Sequence, residues 1–326
     1  QPLFDDYHNQ RSMACLVKTM RDPPRESIAQ VDGDANTWLI GPLQLHCRKG
    51  SSGTFTWYDE DDDLSYTLTD APDPLPPTIP LDDPRFKLVY DAGDSSAVWS
   101  VGNSAFCKVK LCRQGITSEA ATLEFVQKLV YEQQPDFKIP KVLHQTEHNG
   151  RSYLFLTRVQ GRTLGDAWPT LDEKWRQHYI KAIVNVCKFL ESQECDKLCG
   201  ADGKNALEPY LIKYGAEKDY SPDNLRQGCI LIGMDCSKFV FYHADLGPGN
   251  IIVEDIPKTG TVGIIDWELA GYFPRGWIRT KFRISSGLNL PDTATDKPTA
   301  WRSGVQELLG EDGFEHYAPE WLSWWD

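Results

Sequence analysis

The sequence predicts an α+β fold of two lobes, a small antiparallel β-rich N-lobe followed by a larger helical C-lobe. Three observations predict it. Short runs rich in β-branched and aromatic residues, divided by Gly, Asp and Ser turns, fill residues 86–111 and recur at 140–144 and 153–159. One helical pattern, residues 117–133, interrupts them. After Gly161 apolar residues fall at helical spacing, most clearly over residues 172–193.

The bulk numbers agree with this class. A chain of 326 residues exceeds one small module and suffices for two lobes. Its hydrophobic fraction of 40% and charged fraction of 25% are ordinary for a globular protein. No apolar run approaches the roughly 18 residues of a membrane span, and residues 1–11 show no basic-then-apolar leader. A net charge of −13 disfavours nucleic acid and anionic membrane surfaces as partners. The nine cysteines include no CxxC pair, and Cys195 and Cys199 lack a histidine pair at zinc spacing. Reduced thiols in a cytoplasmic protein are the expectation.

In chain order, residues 11–20 read as a helix, and residues 38–47 and 54–58 as short strands. The run Asp59, Glu60, Asp61, Asp62, Asp63 reads as a solvated turn. The proline-rich residues 70–84 read as an extended linker. The linker divides the chain into an N-terminal extension (1–85), an N-lobe (86–160) and a helical C-lobe (161–326). Residues 86–90, 97–101 and 105–111 are expected strands, with Asp91 to Ser96 as the turn between the first two. The 117–133 helix begins at an N-cap of Thr117 or Ser118, with Glu119 in its first turn. Strands at 140–144 and 153–159 complete five around one helix. In the C-lobe, Trp175, Tyr179, Ile183, Val186 and Leu190 give residues 172–193 an apolar face that reads as core. Residues 238–242 and 250–253 read as strands, the latter with 262–265 as its hairpin partner.

The sharpest motif lies there. His243-Ala244-Asp245 and Asn250 share a tight loop shaped by Gly247, Pro248 and Gly249, and the following hairpin delivers Asp266 at its end. Phosphoryl transfer needs this combination. One carboxylate, Asp245, orients and deprotonates an accepting hydroxyl, while an amide oxygen (Asn250) and a second carboxylate (Asp266) hold the Mg²⁺ that bridges nucleotide phosphates. Each residue alone is weak evidence, since an Asp-Gly-Asn loop is usually only a turn. The full spacing between flanking strands is specific.

These motifs resemble the aminoglycoside phosphotransferase and choline kinase superfamily, relatives of the protein kinases. The stretch Ile264 to Pro274, with Ile-Asp-Trp-Glu in place of Asp-Phe-Gly, is similar to the members found in filamentous fungi. The resemblance covers residues 86–281. It implies a protein-kinase-like fold and a Mg²⁺-nucleotide, ATP or GTP, bound between the lobes. It implies a lysine on the nucleotide phosphates, for which Lys108 fits the pattern better than Lys110, two residues on along the same strand face. It implies a helix glutamate that fixes this lysine: Glu119 is favoured over Glu124, which sits about 140° away around the helix. The turn carrying Ser95 and Ser96 would cover the phosphates, although its single glycine makes a poor phosphate loop. Arg158 and Val159 fall on the hinge whose backbone would read the nucleobase. His243 is expected to brace the loop and not to react.

The acceptor is less legible. Asp292, Asp296, Glu307, Glu311, Asp312, Glu315 and Glu320, with Trp301, Trp321, Trp324 and Trp325, suggest a small hydroxyl acceptor bearing an amine. The alternative is a catalytically silent kinase-like protein that binds a nucleotide or a partner. A protein kinase is disfavoured, because the Asp-Phe-Gly and Ala-Pro-Glu signals of an activation loop are absent.

Overall fold

The structure, a computed structural model, describes residues 22–294 and 296–325. The helix expected at residues 11–20 lies outside them. The chain divides into two compact units, the first reaching Cys112 and including Val142–Arg158, the second comprising Arg113–Lys141 and the chain from Val159 onward.

The first unit is built on two antiparallel sheets. Strands β1 (Ile28–Val31), β2 (Thr37–Ile40), β3 (Leu43–Lys49), β4 (Trp57–Asp59), β5 (Leu64–Asp70) and β6 (Thr78–Pro80) form one sheet in the order β4-β5-β3-β2-β1-β6. Strands β7 (Phe86–Asp91), β8 (Ser96–Val101) and β9 (Ala105–Leu111) begin the other. The chain then passes through helix α1 (Glu119–Gln133) and the short β10 (Phe137–Lys138) of the second unit. It returns with β11 (Val142–His148) and β12 (Arg151–Thr157), giving the order β11-β12-β9-β8-β7. Period-two alternation drives the sandwich. Leu43, Leu45 and Cys47 of β3 and Ala105, Cys107 and Val109 of β9 face one shared core with Trp38, Tyr66, Trp99 and Phe155.

Two expectations for residues 22–85 change here. The proline-rich segment is not simply a linker, because β6 pairs with β1, Gln30 opposite Ile79. Pro80 is tolerated there because β6 is an edge strand and needs no second set of backbone donors. The acidic run is not wholly solvated. Asp59 is 1% exposed and accepts the Asn103 N–H at 2.7 Å. Asp62 accepts Asn103 Nδ2 at 2.8 Å. The run fastens a turn of the neighbouring sheet.

The second unit is mainly helical. Ser118 caps α1, its Oγ accepting from Ala121 N. After β13 (Arg162–Thr163) come α2 (Leu164–Ala167) and α3 (Glu173–Glu191). Asp172 caps α3 through Trp175 N, and Tyr179, Ile183, Val186 and Leu190 are buried along its apolar face. Next come β14 (Glu194–Cys195) and α4 (Pro222–Ile232), which starts with Pro222 after the Ser221 cap and ends at left-handed Gly233. Strands β15 (Phe239–His243), β16 (Ile251–Val253), β17 (Val262–Ile264) and β18 (Ala270–Phe273) follow, then α5 (Arg275–Ile284), α6 (Ala300–Glu311) and α7 (Ala318–Trp325). The hairpin predicted from sequence is present: Ile251 faces Ile264 across β16 and β17. Helix α6 lies close on α3 because Gly304 leaves room, a Cβ there falling 2.6 Å from Ile180 Cδ1. Among the described residues the cysteines are free thiols, and no helix is long and apolar enough to cross a membrane.

Candidate active site

Strand β15 and the hairpin β16–β17 carry Asp245, Asn250 and Asp266 to one place in the second unit. Strand β15 is buried throughout and ends at His243. The loop then turns through Gly247, whose amide bonds to Asp245 O at 2.8 Å, and Asn250, whose amide bonds to Gly247 O at 2.9 Å. Ile265 N donates to Asn250 O at 3.0 Å, tying the end of the hairpin to the loop.

His243 performs the bracing role. The Asp245 N–H can only donate, so at 3.2 Å it requires His243 Nδ1 to accept. The ring proton therefore sits on Nε2, which donates to Ile265 O at 3.0 Å. A neutral histidine, 0% exposed and edge-on to Trp267, thus locks the backbone of Asp245 to the residue before Asp266.

Asn250 is equally constrained. Its Nδ2 donates to both Asp245 O and Asp245 Oδ2, each at 2.9 Å. Both amide protons are used, so Asn250 Oδ1 faces elsewhere as an acceptor. Asp245 Oδ2 is likewise occupied, and Oδ1 has no partner among the described residues. Burial pushes the Asp245 carboxyl up to about 6; the charges of Asp266 and Glu208 add to this, while the Lys281 ammonium and the Asn250 hydrogen bond pull it down.

Asp266 adopts φ 61 and ψ 63, a left-handed conformation that costs energy for a non-glycine residue. Its neighbours hold it there. Trp267 N donates to Glu119 Oε1 at 3.3 Å, and Trp267 Nε1 to Ile264 O at 2.9 Å. Glu119, the first residue of α1, is buried, whereas Glu124 is exposed.

A buried ion pair near Asp245 has no signal in the sequence. Lys281 on α5 reaches both oxygens of Glu208 at 2.7 and 2.8 Å, with side chains 2% and 0% exposed. Trp277 Nε1 and Tyr210 N also donate to Glu208, and the Tyr210 ring lies 4.0 Å from Lys281 Nζ. A lysine in a helix reads as a surface residue, and only the packing shows otherwise.

The remaining expected residues lie mostly on the first unit. Lys108 and Lys110 share one face of β9, Lys108 beside Val98 and Leu154, Lys110 beside Ser96 and Ser152. The Ser95 hydroxyl donates to Ala92 O at 2.9 Å. The Ser96 hydroxyl is buried without a hydrogen-bond partner among the described residues. Arg158 lies over Phe106 at 4.4 Å, and its backbone N–H donates to Ser104 O at 2.7 Å, so that N–H is unavailable to a nucleobase. Val159 begins the next segment of the second unit and closes on Gly263, where a Cβ would come 2.4 Å from Val159 Cγ1.

A family model, that of the phosphotransferase enzyme family, matches residues 89–277. A comparison with curated proteins returns no match. Among solved structures, the aminoglycoside phosphotransferase APH(3'')-Id from Streptomyces rimosus is 17% identical, with a TM-score of 0.45 over 73% of this chain and 90% of its own. APH(2")-IIa, solved as a streptomycin–ATP ternary complex, is 17% identical, with a TM-score of 0.44 over 72% of this chain and 77% of its own. An aminoglycoside-3'-phosphotransferase of type VIII is 15% identical, with a TM-score of 0.41 over 74% and 92%.

Proposed function

The chain belongs to the phosphotransferase enzyme family, and from that premise we propose that it transfers the terminal phosphate of a Mg²⁺-nucleotide, ATP or GTP, to a hydroxyl of a small molecule. The observation that carries this reading is the fixed amide of Asn250. With both of its protons on Asp245, its one remaining polar atom is a neutral oxygen, beside a loop whose hairpin ends in the Asp266 carboxylate. Among the described residues no three His, Cys, Asp or Glu side chains cluster to hold a metal. The donor set is therefore one neutral and one anionic oxygen, which suits Mg²⁺, an ion that takes few protein ligands and completes its shell with phosphate and water. When bound, Mg²⁺ supplies neutralisation of the phosphate charge.

Asp245 acts on the acceptor. Its Oδ2 is held by Asn250, leaving Oδ1 to take the hydroxyl proton. A carboxyl raised to about 6 is a stronger base than an ordinary aspartate and is still mostly ionised at neutral pH. As the proton passes to Oδ1, the acceptor oxygen bonds to the terminal phosphorus, the bond to the bridging oxygen breaks, and the nucleoside diphosphate departs. We assign the nucleotide phosphates to Lys108, with Lys110 as the alternative, and to the Ser95 and Ser96 turn, where the buried Ser96 hydroxyl has no hydrogen-bond partner among the described residues. Glu119 serves as the positioning carboxylate, and the backbone of Val159 as the base reader.

Asp266→Ala tests the metal assignment. The metal loses its one anionic protein ligand, so calorimetry should show nucleotide affinity in Mg²⁺ falling at least about tenfold, with little change when Mg²⁺ is chelated. Equal affinity of wild type and variant in Mg²⁺ would remove Asp266 from the site.

A further inference from the structure

Three guanidinium groups gather at the C-terminal end of α5 on neutral partners. Arg279 and Arg283, one helical turn apart, both donate to Gln306 Oε1 of α6, at 3.3 and 3.2 Å. Arg302 donates to Arg283 O at 2.6 Å, to Phe282 O at 3.0 Å and to Asn289 Oδ1 at 2.6 Å. Arg279 also reaches the carbonyls of Gln306 and Phe314. Among the described residues none of the three has a carboxylate partner. The contrast with their neighbours is plain, since Arg275 pairs with Glu191 at 2.7 Å and Lys281 with Glu208.

A chain with 47 Asp and Glu against 34 Lys and Arg has acids to spare for such a cluster. Leaving it uncompensated is unfavourable: burial, and after it the charge of Arg283, lowers the pKa of both Arg279 and Arg302. His316 joins the group. Burial and then the Arg283 and Arg279 charges hold its pKa below the usual value, against the opposing charge of Glu320. The Ala318 N–H points to its Nδ1 at 3.4 Å, which places the ring proton on Nε2. Backbone carbonyls explain why Arg279 and Arg302 tie α5 to α6. They do not explain Arg283, an exposed residue whose side chain makes a single hydrogen bond, to Gln306.

The segment from Gly287 to Asn289 links the cluster to the loop of Asp245. A Cβ on Gly247 would come 2.9 Å from Gly287 O, and Asn289, two residues beyond, holds Arg302. Tyr210 lies within electrostatic reach of Arg302 and packs under Lys281, whose charge reaches Asp245. Three of the acids expected to hold an amine are committed elsewhere: Asp296 to Arg176 and Trp168, Asp312 to Lys188, Glu315 to Tyr317. Trp301 and Trp321 are core residues.

We propose that Arg279, Arg283 and Arg302, with His316, hold an anionic group of the acceptor, a carboxylate or phosphate on the molecule that presents its hydroxyl to Asp245. This rests on the phosphotransferase reading above. Guanidinium forks match both kinds of anion, and neither an amine nor a neutral sugar would compensate their charge.

The test uses the full chain and three hydroxylated probes: glycerate, glycerol 3-phosphate and ethanolamine. Calorimetry is expected to show both anions binding, the tighter one identifying the anionic group, and no binding of ethanolamine. Arg283→Gln should weaken the anions about tenfold, as loss of a charged hydrogen bond does, with nucleotide affinity unchanged. The proposal is overturned if neither acid binds, if ethanolamine binds as tightly, or if Arg283→Gln leaves acid affinity intact. Acids that bind as expected but are never phosphorylated would sink the kinase reading and leave the anion site standing. Transfer to an amino alcohol, unaffected by Arg283→Gln, would do the reverse.

Discussion

Asp245→Asn is expected to lower turnover by about 10²–10⁴-fold, the range for losing a positioned base, while nucleotide affinity stays nearly unchanged. The substitution preserves the size of the side chain and an oxygen for Asn250 Nδ2, but it cannot take a proton. The loss should fall on kcat more than on KM, because the missing interaction matters in the transition state. Stability should move the other way. The wild-type carboxyl is raised by burial from 3.8 to about 6, so above pH 6 the folded protein holds a charge that the unfolded chain accommodates more easily. Removing that charge should stabilise the protein by about 3 kcal/mol at pH 7. The gain should fade as pH drops through 6 and vanish below 3.8. Urea unfolding of both proteins at pH 7 and pH 4 checks the sign; a variant less stable at pH 7 would show that the buried carboxylate is not the burden described.

Breaking the Glu208–Lys281 pair is the second large effect. Lys281→Met leaves Glu208 as an uncompensated charge in a site that excludes water, with only the Trp277 and Tyr210 donors to answer it. The expected cost is about 3–5 kcal/mol. The double variant Glu208→Gln with Lys281→Met removes both charges and should recover most of the loss, because an ion pair this buried gives back in attraction little more than it costs in desolvation. Denaturant unfolding of the four proteins in the cycle yields the coupling directly. Additive losses would mean that the two residues act separately.

The loop and hairpin of the candidate site were legible in the sequence, because the chemistry proposed for them requires set residue types at set spacing in one continuous stretch. The loop from His243 to Asn250 and the hairpin to Asp266 were readable for that reason, as were the helices whose caps, Ser118 and Asp172, precede apolar periodicity. The N-terminal sheet was harder. Strands β1 and β6 are short and show no alternation of buried and exposed residues, and their pairing, Gln30 opposite Ile79, joins residues about fifty apart, a distance that no local pattern encodes. Glu208 and Lys281 were invisible for the same reason, being 73 positions apart. The basic cluster was hidden by composition, since the acids of the C-terminal region outnumber the arginines and only the fold separates the two.

Phosphoryl transfer is tested by detecting its products. Wild type with Mg²⁺-ATP or Mg²⁺-GTP would be incubated with hydroxy acids, sugar phosphates, amino alcohols, sugars and nucleosides, and phosphorus NMR would follow the products. Wild type is expected to yield a phosphate monoester and a nucleoside diphosphate in equal amounts, and Asp245→Asn neither above background. A wild-type protein that binds nucleotide yet forms no ester and releases no phosphate with any acceptor would contradict it, and would identify the chain as a silent nucleotide-binding member of its family.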